Sequence, residues 1–277
     1  MIAESILAQL SELARLPDDE LCLATAFLFS SMYANPSLEP HKYIQEIDAL
    51  AVGARARLEG VVSPEQRLAN FIEYMAVDCG FHGNEERYYD PRNSFFHEVI
   101  ETRVGIPITL SLIYMEVGRR AGIPFDAISF PFHFLISPRG IEDTFIDPYY
   151  SGRRLSRVQC EEFLAQRSNG SVEFTPRYLA PVGARAVLVR MMRNLKMAHV
   201  RAQEYVEAID AIDVMLVWAP QLTRERRDRG LLWAKLGCFP AAIPDLQAYL
   251  DEFPDASDRQ RIQMELENAR SQFVVYN

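Results

Sequence analysis

The sequence predicts an α+β protein, mostly helical, with a core that carries a small antiparallel sheet and a tail of repeating helices. Three observations lead there. Apolar residues recur at helical spacing through most of the 277 residues. A short stretch after Pro124 switches to a period of two. The C-terminal part matches itself at an offset of 34 residues.

Ile6, Leu10, Leu13 and Leu16 share one helical face, and Leu21, Leu23, Phe27 and Met32 mark a second helix. Pro17-Asp18-Asp19 separates the two; the proline stops the first, and the acids favour the positive N-terminal end of the second. A third helix is expected from about Pro40 through Leu58. Ser63-Pro64-Glu65-Gln66 reads as N-cap, N1 proline and capping box, opening a helix through Ile72, Met75 and Ala76. Gly80 to Asn84 breaks the pattern, and Tyr89-Asp90-Pro91-Arg92-Asn93 marks another turn. Ser94 is placed to cap a helix carrying Phe95, Val99 and Ile100. Pro107 then stands as the first residue of a long helix that continues from Ile108 to Ala121 and closes at Gly122.

The alternation from Ala127 to Ile136 reads as one strand, with Ile128, Phe130, Phe132, Phe134 and Ile136 on one face and His133 pointing the other way. Pro131 marks an edge or an irregularity in it. A second strand is expected from Asp143 to Asp147, ended by Pro148. Beyond Phe163 a polar stretch, Gln166 to Gly170, and a connection reaching Pro181 form a linker. The expected organisation is a helical region over 1–84, the core over 85–180 and the repeats over 181–277.

In the repeats Tyr205 and Phe239, Ala208 and Ala242, Ile209 and Ile243, Leu216 and Leu250, and Pro220 and Pro254 all differ by 34 positions, the tetratricopeptide period. Gly230, Trp233 and Gly237 fit the first helix of the second unit, and Trp233 is the candidate binding residue there. The first unit departs, with Lys196, His199 and Gln203 at the equivalent places. Two units alone bury little, so they are expected to lean on the domain before them or on a final helix from Ser257 to Phe273 as a cap.

A net charge of −9 opposes a phosphate backbone and argues against nucleic acid as the main partner. The start, MIAESILAQL, lacks a basic n-region and is interrupted by Glu4, and no run of about eighteen apolar residues occurs, so a secretory leader and a membrane span are not expected. Cys22, Cys79, Cys160 and Cys238 are scattered without a C-x-x-C pair, which fits reduced thiols in a cytoplasm and gives no metal or cofactor motif. The Arg224–Arg229 run mixes signs and reads as a solvated helix face.

The chemistry concentrates in one constellation. A histidine on a strand and an aspartate at the end of the next can lie side by side across a hairpin, where the carboxylate accepts from the ring N–H and fixes its orientation. His133 and Asp147 are so placed, after a helix whose N-terminus begins at Pro107. Taken alone, a histidine among apolar residues is more often structural. His97 and His82 are weaker candidates, the second on a loop. Tyr88, Tyr89, Tyr149 and Tyr150 flank Asp-Pro turns; such residues often line clefts, although burial is their commoner fate.

Asn93-Ser94, Gly105-Ile106-Pro107-Ile108-Thr109-Leu110-Ser111-Leu112-Ile113-Tyr114, Gly122-Ile123-Pro124, Phe130-Pro131-Phe132-His133-Phe134-Leu135 and Phe145-Ile146-Asp147-Pro148, in that order, resemble the transglutaminase-like proteins of the SirB group, which also carry a tetratricopeptide tail. The resemblance implies a transglutaminase-like, papain-like core built for a Cys-His-Asp triad. On it His133 matches the base and Asp147 the orienting acid, while the nucleophile position, fifteen residues before Gly122, is Pro107. Proline has neither a thiol nor an N–H to offer an oxyanion. Thr109 and Ser111, on the first turns of the same helix, are candidate binding groups, as is Tyr149; packing is the expected role of Ser111, one turn deeper than Pro107. Cys79, in an irregular segment before the core, is a weak alternative that could approach from elsewhere in space, whereas Cys160 and Cys238 have no sequence reason to approach His133. The expected function is therefore a non-catalytic module that binds a protein or peptide, with a regulatory role implied by the resemblance. An amidase or peptidase using His133 and Asp147 with an unconventional nucleophile, and self-association through the repeats, are the alternatives.

Overall fold

The computed structural model describes residues 2–275, which divide into two compact units. One runs from Leu16 to Met191; the other joins the N-terminal stretch up to Arg15 with the chain from Met192 onward. Helix α1 (Glu4–Leu13) belongs to the second. The first contains α2 (Leu23–Ser31), α3 (Pro40–Leu58), α4 (Pro64–Glu73), α5 (Phe96–Thr102), α6 (Pro107–Ala121) and α7 (Arg157–Arg167).

Helix α6 is the centre of this unit. It starts on Pro107 at N1 and stops at Gly122, whose φ of 80° is the left-handed C-cap conformation that a side chain disfavours. Every residue from Ile106 to Tyr114 is buried, so it is apolar all round rather than amphipathic. It packs on α3 and on the first strands of the sheet. The approach is close enough that a Cβ on Gly118 would sit 2.6 Å from the Phe125 ring. Helix α3 has the span its sequence predicts, with Pro40 at N1 and Arg55 and Arg57 in the last turn, where cations complement the helix dipole.

The sheet is antiparallel, in the order β3 (Phe125–Ile128), β4 (Leu135–Pro138), β5 (Phe145–Asp147), β6 (Arg153–Leu155). Leu135, Phe145 and Leu155 face α7, where they join Ile128, Phe130, Cys160, Phe163 and Leu164 in one apolar cluster. A separate pair, β1 (His82–Gly83) and β2 (Val104–Gly105), is parallel and had no sequence signal.

Several local expectations are corrected. The stretch from Ala127 to Ile136 is two strands, not one: β3 and β4 form a hairpin with residues 129–134 as its loop, and His133 lies on that loop rather than on a strand. Ser94 does not cap α5; it ends a 3-10 turn over Pro91–Ser94, and Phe95 takes the N-cap position. Ser63 does accept from the Gln66 N–H at 3.4 Å, but the Gln66 side chain donates to Asn70, so the capping box is half formed. The α-helix there ends at Glu73 and continues as a π-turn over Tyr74–Asp78. Helix α7 extends to Arg167, into the stretch expected as linker.

In the second unit, α8 (Ala184–Ala202, entering this unit after Met191) is followed by α9 (Tyr205–Trp218), α10 (Thr223–Lys235), α11 (Phe239–Glu252) and α12 (Arg259–Val275). The 34-residue period is visible as structure: α9 and α11 begin on the matched Tyr205 and Phe239 and are both 14 residues long. Ala208 and Ala242, the matched small residues, are fully buried where helices approach. Ala242, Leu246, Tyr249 and Leu250 of α11 pack on Ile262 and Leu266 of α12, which covers the repeat as expected. Among the described residues, no helix is long and apolar enough to cross a membrane.

The Arg224–Arg229 run is not a solvated face. Glu225 is buried and takes Arg193 at 2.7 Å and Lys196 at 2.6 Å, and Lys196 also reaches Asp228 at 2.7 Å. Arg229 bridges Asp213 at 2.5 Å and Asp245 at 2.7 Å, tying α10 to α9 and α11. Burial raises the Asp213 carboxyl, with the Arg229 partnership pulling it back down. Arg229→Ala should therefore leave two carboxylates facing each other and lower stability by about 2 kcal/mol, less than for a wholly buried pair because Asp213 keeps some solvent. Urea denaturation checks this; a change under about 0.5 kcal/mol would contradict it.

Candidate functional site

The hairpin loop between β3 and β4 builds the site. Phe132 sits at φ 58°, a left-handed conformation that is costly for a bulky side chain and that needs compensation from its surroundings. The compensation comes from Arg190 on α8. Its guanidinium donates to Ser129 Oγ at 2.7 Å, to the Phe130 carbonyl at 2.9 Å and to the His133 carbonyl at 2.6 Å. The loop is pinned at both ends, Phe132 is turned out to solvent at 60% exposure, and His133 is turned in.

His133 Nε2 lies 2.9 Å from Asp147 Oδ1. Both side chains are buried, at 1% and 0% exposure. A carboxylate only accepts, so the ring donates through Nε2. The other carboxylate oxygen, Oδ2, accepts from Arg153 Nη2 at 3.1 Å. Three aromatic rings close around the imidazole: Phe163 at 5.0 Å, Tyr149 at 6.0 Å, both edge to face, and Tyr150 stacked at 6.1 Å. Arg153 in turn lies over Tyr150 at 4.8 Å and Phe163 at 5.2 Å.

A hydrogen-bonded chain reaches this cluster from α6. Thr109 Oγ1 donates to the Asn93 carbonyl at 2.8 Å, Asn84 Nδ2 donates to Asn93 Oδ1 at 2.9 Å, and Tyr149 OH donates to the Asn84 carbonyl at 3.0 Å. Gly83 is required here: a Cβ would lie 2.5 Å from the Tyr149 ring. Burial raises the Tyr149 phenol to about 12, so it stays a donor. Beside Tyr149 and Tyr150 opens a cleft of about 700 Å³, also lined by His82, Gly83, Glu85 and Glu86.

Of the sequence candidates, His133, Asp147 and Tyr149 are brought together, and Thr109 joins through Asn93 and Asn84. Pro107 is buried at the head of α6. Ser111 is fully buried and its Oγ has no hydrogen-bond partner among the described residues. Trp233 belongs to the other unit, packed between Leu232 and the α11 cluster. His97 forms a separate cluster with Tyr43 at 5.6 Å and Phe95 at 5.8 Å, where burial holds it below the usual imidazole range. Arg153, Arg190 and Asn84 escaped the sequence reading. For Arg153 a signal existed: it pairs with Asp147 across the turn at Gly152, directly opposite on the neighbouring strand.

Cys160, on α7 in the cluster with Phe163, is fully buried, and burial together with Asp143 and Asp147 pushes it up to about 12. Cys79, at the end of the π-turn, is also raised, by burial first. Among the described residues no three His, Cys, Asp or Glu side chains are grouped to hold a metal ion.

Residues 41–193 match the family model described as the transglutaminase-like superfamily, more than half of the chain. The chain belongs to this superfamily. Residues 195–267 match a tetratricopeptide repeat model. Over most of its length the chain is similar to UPF0162 proteins of Xylella fastidiosa strain 9a5c, 31% identical over 98% of this chain and 99% of the relative, and of Vibrio cholerae, 27% identical over 86% and 90%. It is also similar to the human F-box only protein 21, 27% identical over 86% of this chain and 42% of that protein. No solved structure matches.

The burial of the pair sets its energetics. Asp147→Ala removes the acceptor of two buried or half-buried donors and should cost about 3 kcal/mol. The double variant His133→Ala, Asp147→Ala should cost less than the sum of the singles by about 1 kcal/mol or more. Denaturant titration of the four proteins checks this, and strict additivity would contradict it.

Proposed function

We propose that this transglutaminase-like protein of the SirB type captures a protein or peptide partner without turning it over. One observation carries the reading: the histidine is oriented by a buried carboxylate, and the first residue of the helix that should present the nucleophile is a proline. The position that the family resemblance assigns to the cysteine is Pro107, which offers neither a thiol nor a backbone donor. The Cys160 thiol, raised by burial and by the charges of Asp143 and Asp147, is held protonated. Asp147 divides its charge between His133 and Arg153, which suits a fixed structural bracket.

The repeats support the same reading from the other side. Stacked helical pairs of this kind present extended surfaces to partner segments. The cleft beside Tyr149 offers a second place for a chain to lie, with His133 as a buried anchor for its wall. A regulatory role follows if capture is all that the molecule does, and the cytoplasm is the compartment that its four unpaired thiols fit.

The test incubates the full chain with a synthetic pool of random peptides. A subset should be retained on the immobilised protein, and every peptide should be recovered at its original mass. Cleavage, or the small mass gain of deamidation, produced by the wild type and absent with His133→Ala would overturn the reading in favour of a hydrolase.

A further inference from the structure

Two arginines stand on one aromatic patch beside the buried pair. The Arg153 guanidinium lies 4.8 Å from the centre of the Tyr150 ring and 5.2 Å from that of Phe163. The Arg167 guanidinium lies 5.4 Å from the same Phe163 ring and donates through Nη2 to the Tyr150 hydroxyl at 2.8 Å. The two cations come from different elements, β6 and the last turn of α7, and share the same pair of rings. Phe163 belongs to the apolar cluster beneath, so the patch is fixed before any ligand arrives.

Stacking explains each arginine singly, because a guanidinium is attracted to a ring face. It does not explain two together, since like charges repel and the rings carry no net charge to offset them. Among the described residues one carboxylate pairs with either arginine. That is Asp147, whose Oδ1 is taken by His133 and whose Oδ2 accepts from Arg153. Arg167 has no carboxylate partner among the described residues and holds a neutral phenol instead. Acids are not scarce, at 38 against 29 arginines and lysines. Glu161 and Glu162 on the same helix precede Arg167 by six and five positions, and neither spacing sets side chains face to face. Glu85 and Glu86 line the neighbouring cleft but form no ion pair with either arginine.

The donors left over are numerous. A guanidinium carries five N–H groups in a planar fork. Arg153 commits Nη2 to Asp147, and Arg167 commits Nη2 to Tyr150. The Tyr150 hydroxyl, having accepted from a cation, keeps its own proton to donate, and such a polarised donor is a stronger one. Tyr88 lies in the same positive field: burial raises its phenol, and the charges of Arg167 and Arg190 pull it back. Both patch arginines are open to solvent, Arg153 with 42% of its side chain exposed.

We propose that Arg153, Arg167 and the Tyr150 hydroxyl form a site for an oxyanion carried by a peptide, either the carboxylate of an acidic side chain or the phosphate of a phosphorylated one. Both groups offer paired oxygens that a guanidinium meets with two N–H bonds. The proposal rests on the reading of the protein as a peptide-capturing module and assigns the charge of what it captures.

The test measures fluorescence anisotropy of four labelled Gly/Ser peptides of equal length with the full chain, carrying two glutamates, one phosphoserine, two glutamines or two lysines at the centre. Both acidic probes should bind more tightly than the glutamine probe, and the lysine probe should bind least; the tighter acidic probe names the anion. Arg153 is left intact because Asp147 depends on it. Arg167→Glu should weaken the acidic probes about tenfold, and Tyr150→Phe, which keeps the ring, about threefold. Neither change should weaken the lysine probe. The loss in Arg167→Glu should shrink at about 1 M salt, where the screening length is about 3 Å. Equal binding of the four probes, preference for lysine, or acidic probes unaffected by both variants would overturn the proposal. Equal weakening of all four probes in Arg167→Glu would also overturn it, as the mark of a merely structural residue. Failure of every probe while the random pool still yields retained peptides would overturn the oxyanion site and leave peptide capture standing. Failure of both would overturn the two readings together.

Discussion

A carboxylate with no access to water must be answered from within the protein, and Asp147 is such a group. Its two oxygens are taken by His133 and Arg153, and the rest of the site follows from holding those two in place. Arg153 is fixed by strand pairing opposite Asp147 and by the rings of Tyr150 and Phe163. His133 is fixed by a loop that accepts an unfavourable Phe132 conformation, and that loop is in turn clamped by Arg190. The strain at Phe132 is local; the hydrogen bonds that offset it reach to another element. Tyr149, pressed against Gly83 and tied to Asn84, closes the remaining side.

The parts of this that local sequence determines were legible. Helix α3 follows from its apolar spacing and from Pro40, and α6 from the Pro107 start and the Gly122 stop. The repeats follow from matched pairs at a fixed offset, because each repeat buries the same positions against its neighbours. The pairing of His133 with Asp147 was also foreseen, although for a partly wrong reason. The alternation from Ile128 to Ile136 imitates a strand, but Phe130 and Phe134 are buried at the two ends of a turn while Phe132 is exposed between them. Period two cannot distinguish a strand from a hairpin whose loop happens to alternate. The charged run on α10 misled in the opposite sense. Mixed charges look solvated until the facing helices are known to carry Lys196, Asp213 and Asp245. Arg190, Asn84 and the β1–β2 pairing depend on residues distant in sequence, for which no local pattern exists.

Superfamily membership and geometry are thus consistent in an instructive way. The frame that orients a histidine is intact to within ordinary hydrogen-bond distances, whereas the thiols of Cys79 and Cys160 are raised rather than lowered. Catalytic cysteines need the reverse, a thiolate favoured by nearby positive charge. Burial of Cys160 beside Asp143 and Asp147 supplies the worst setting for a nucleophile and an acceptable one for a core filler.

The absence of a working thiol is the claim on which the account turns, and alkylation tests it directly. The native protein and His133→Ala are treated with iodoacetamide at about pH 6.5, where only a low-pKa thiol reacts quickly, and the sites are mapped by mass spectrometry. The account predicts that Cys79 and Cys160 stay unmodified in both proteins. Rapid modification of either one in the wild type, lost in His133→Ala, would reveal an activated nucleophile and contradict it.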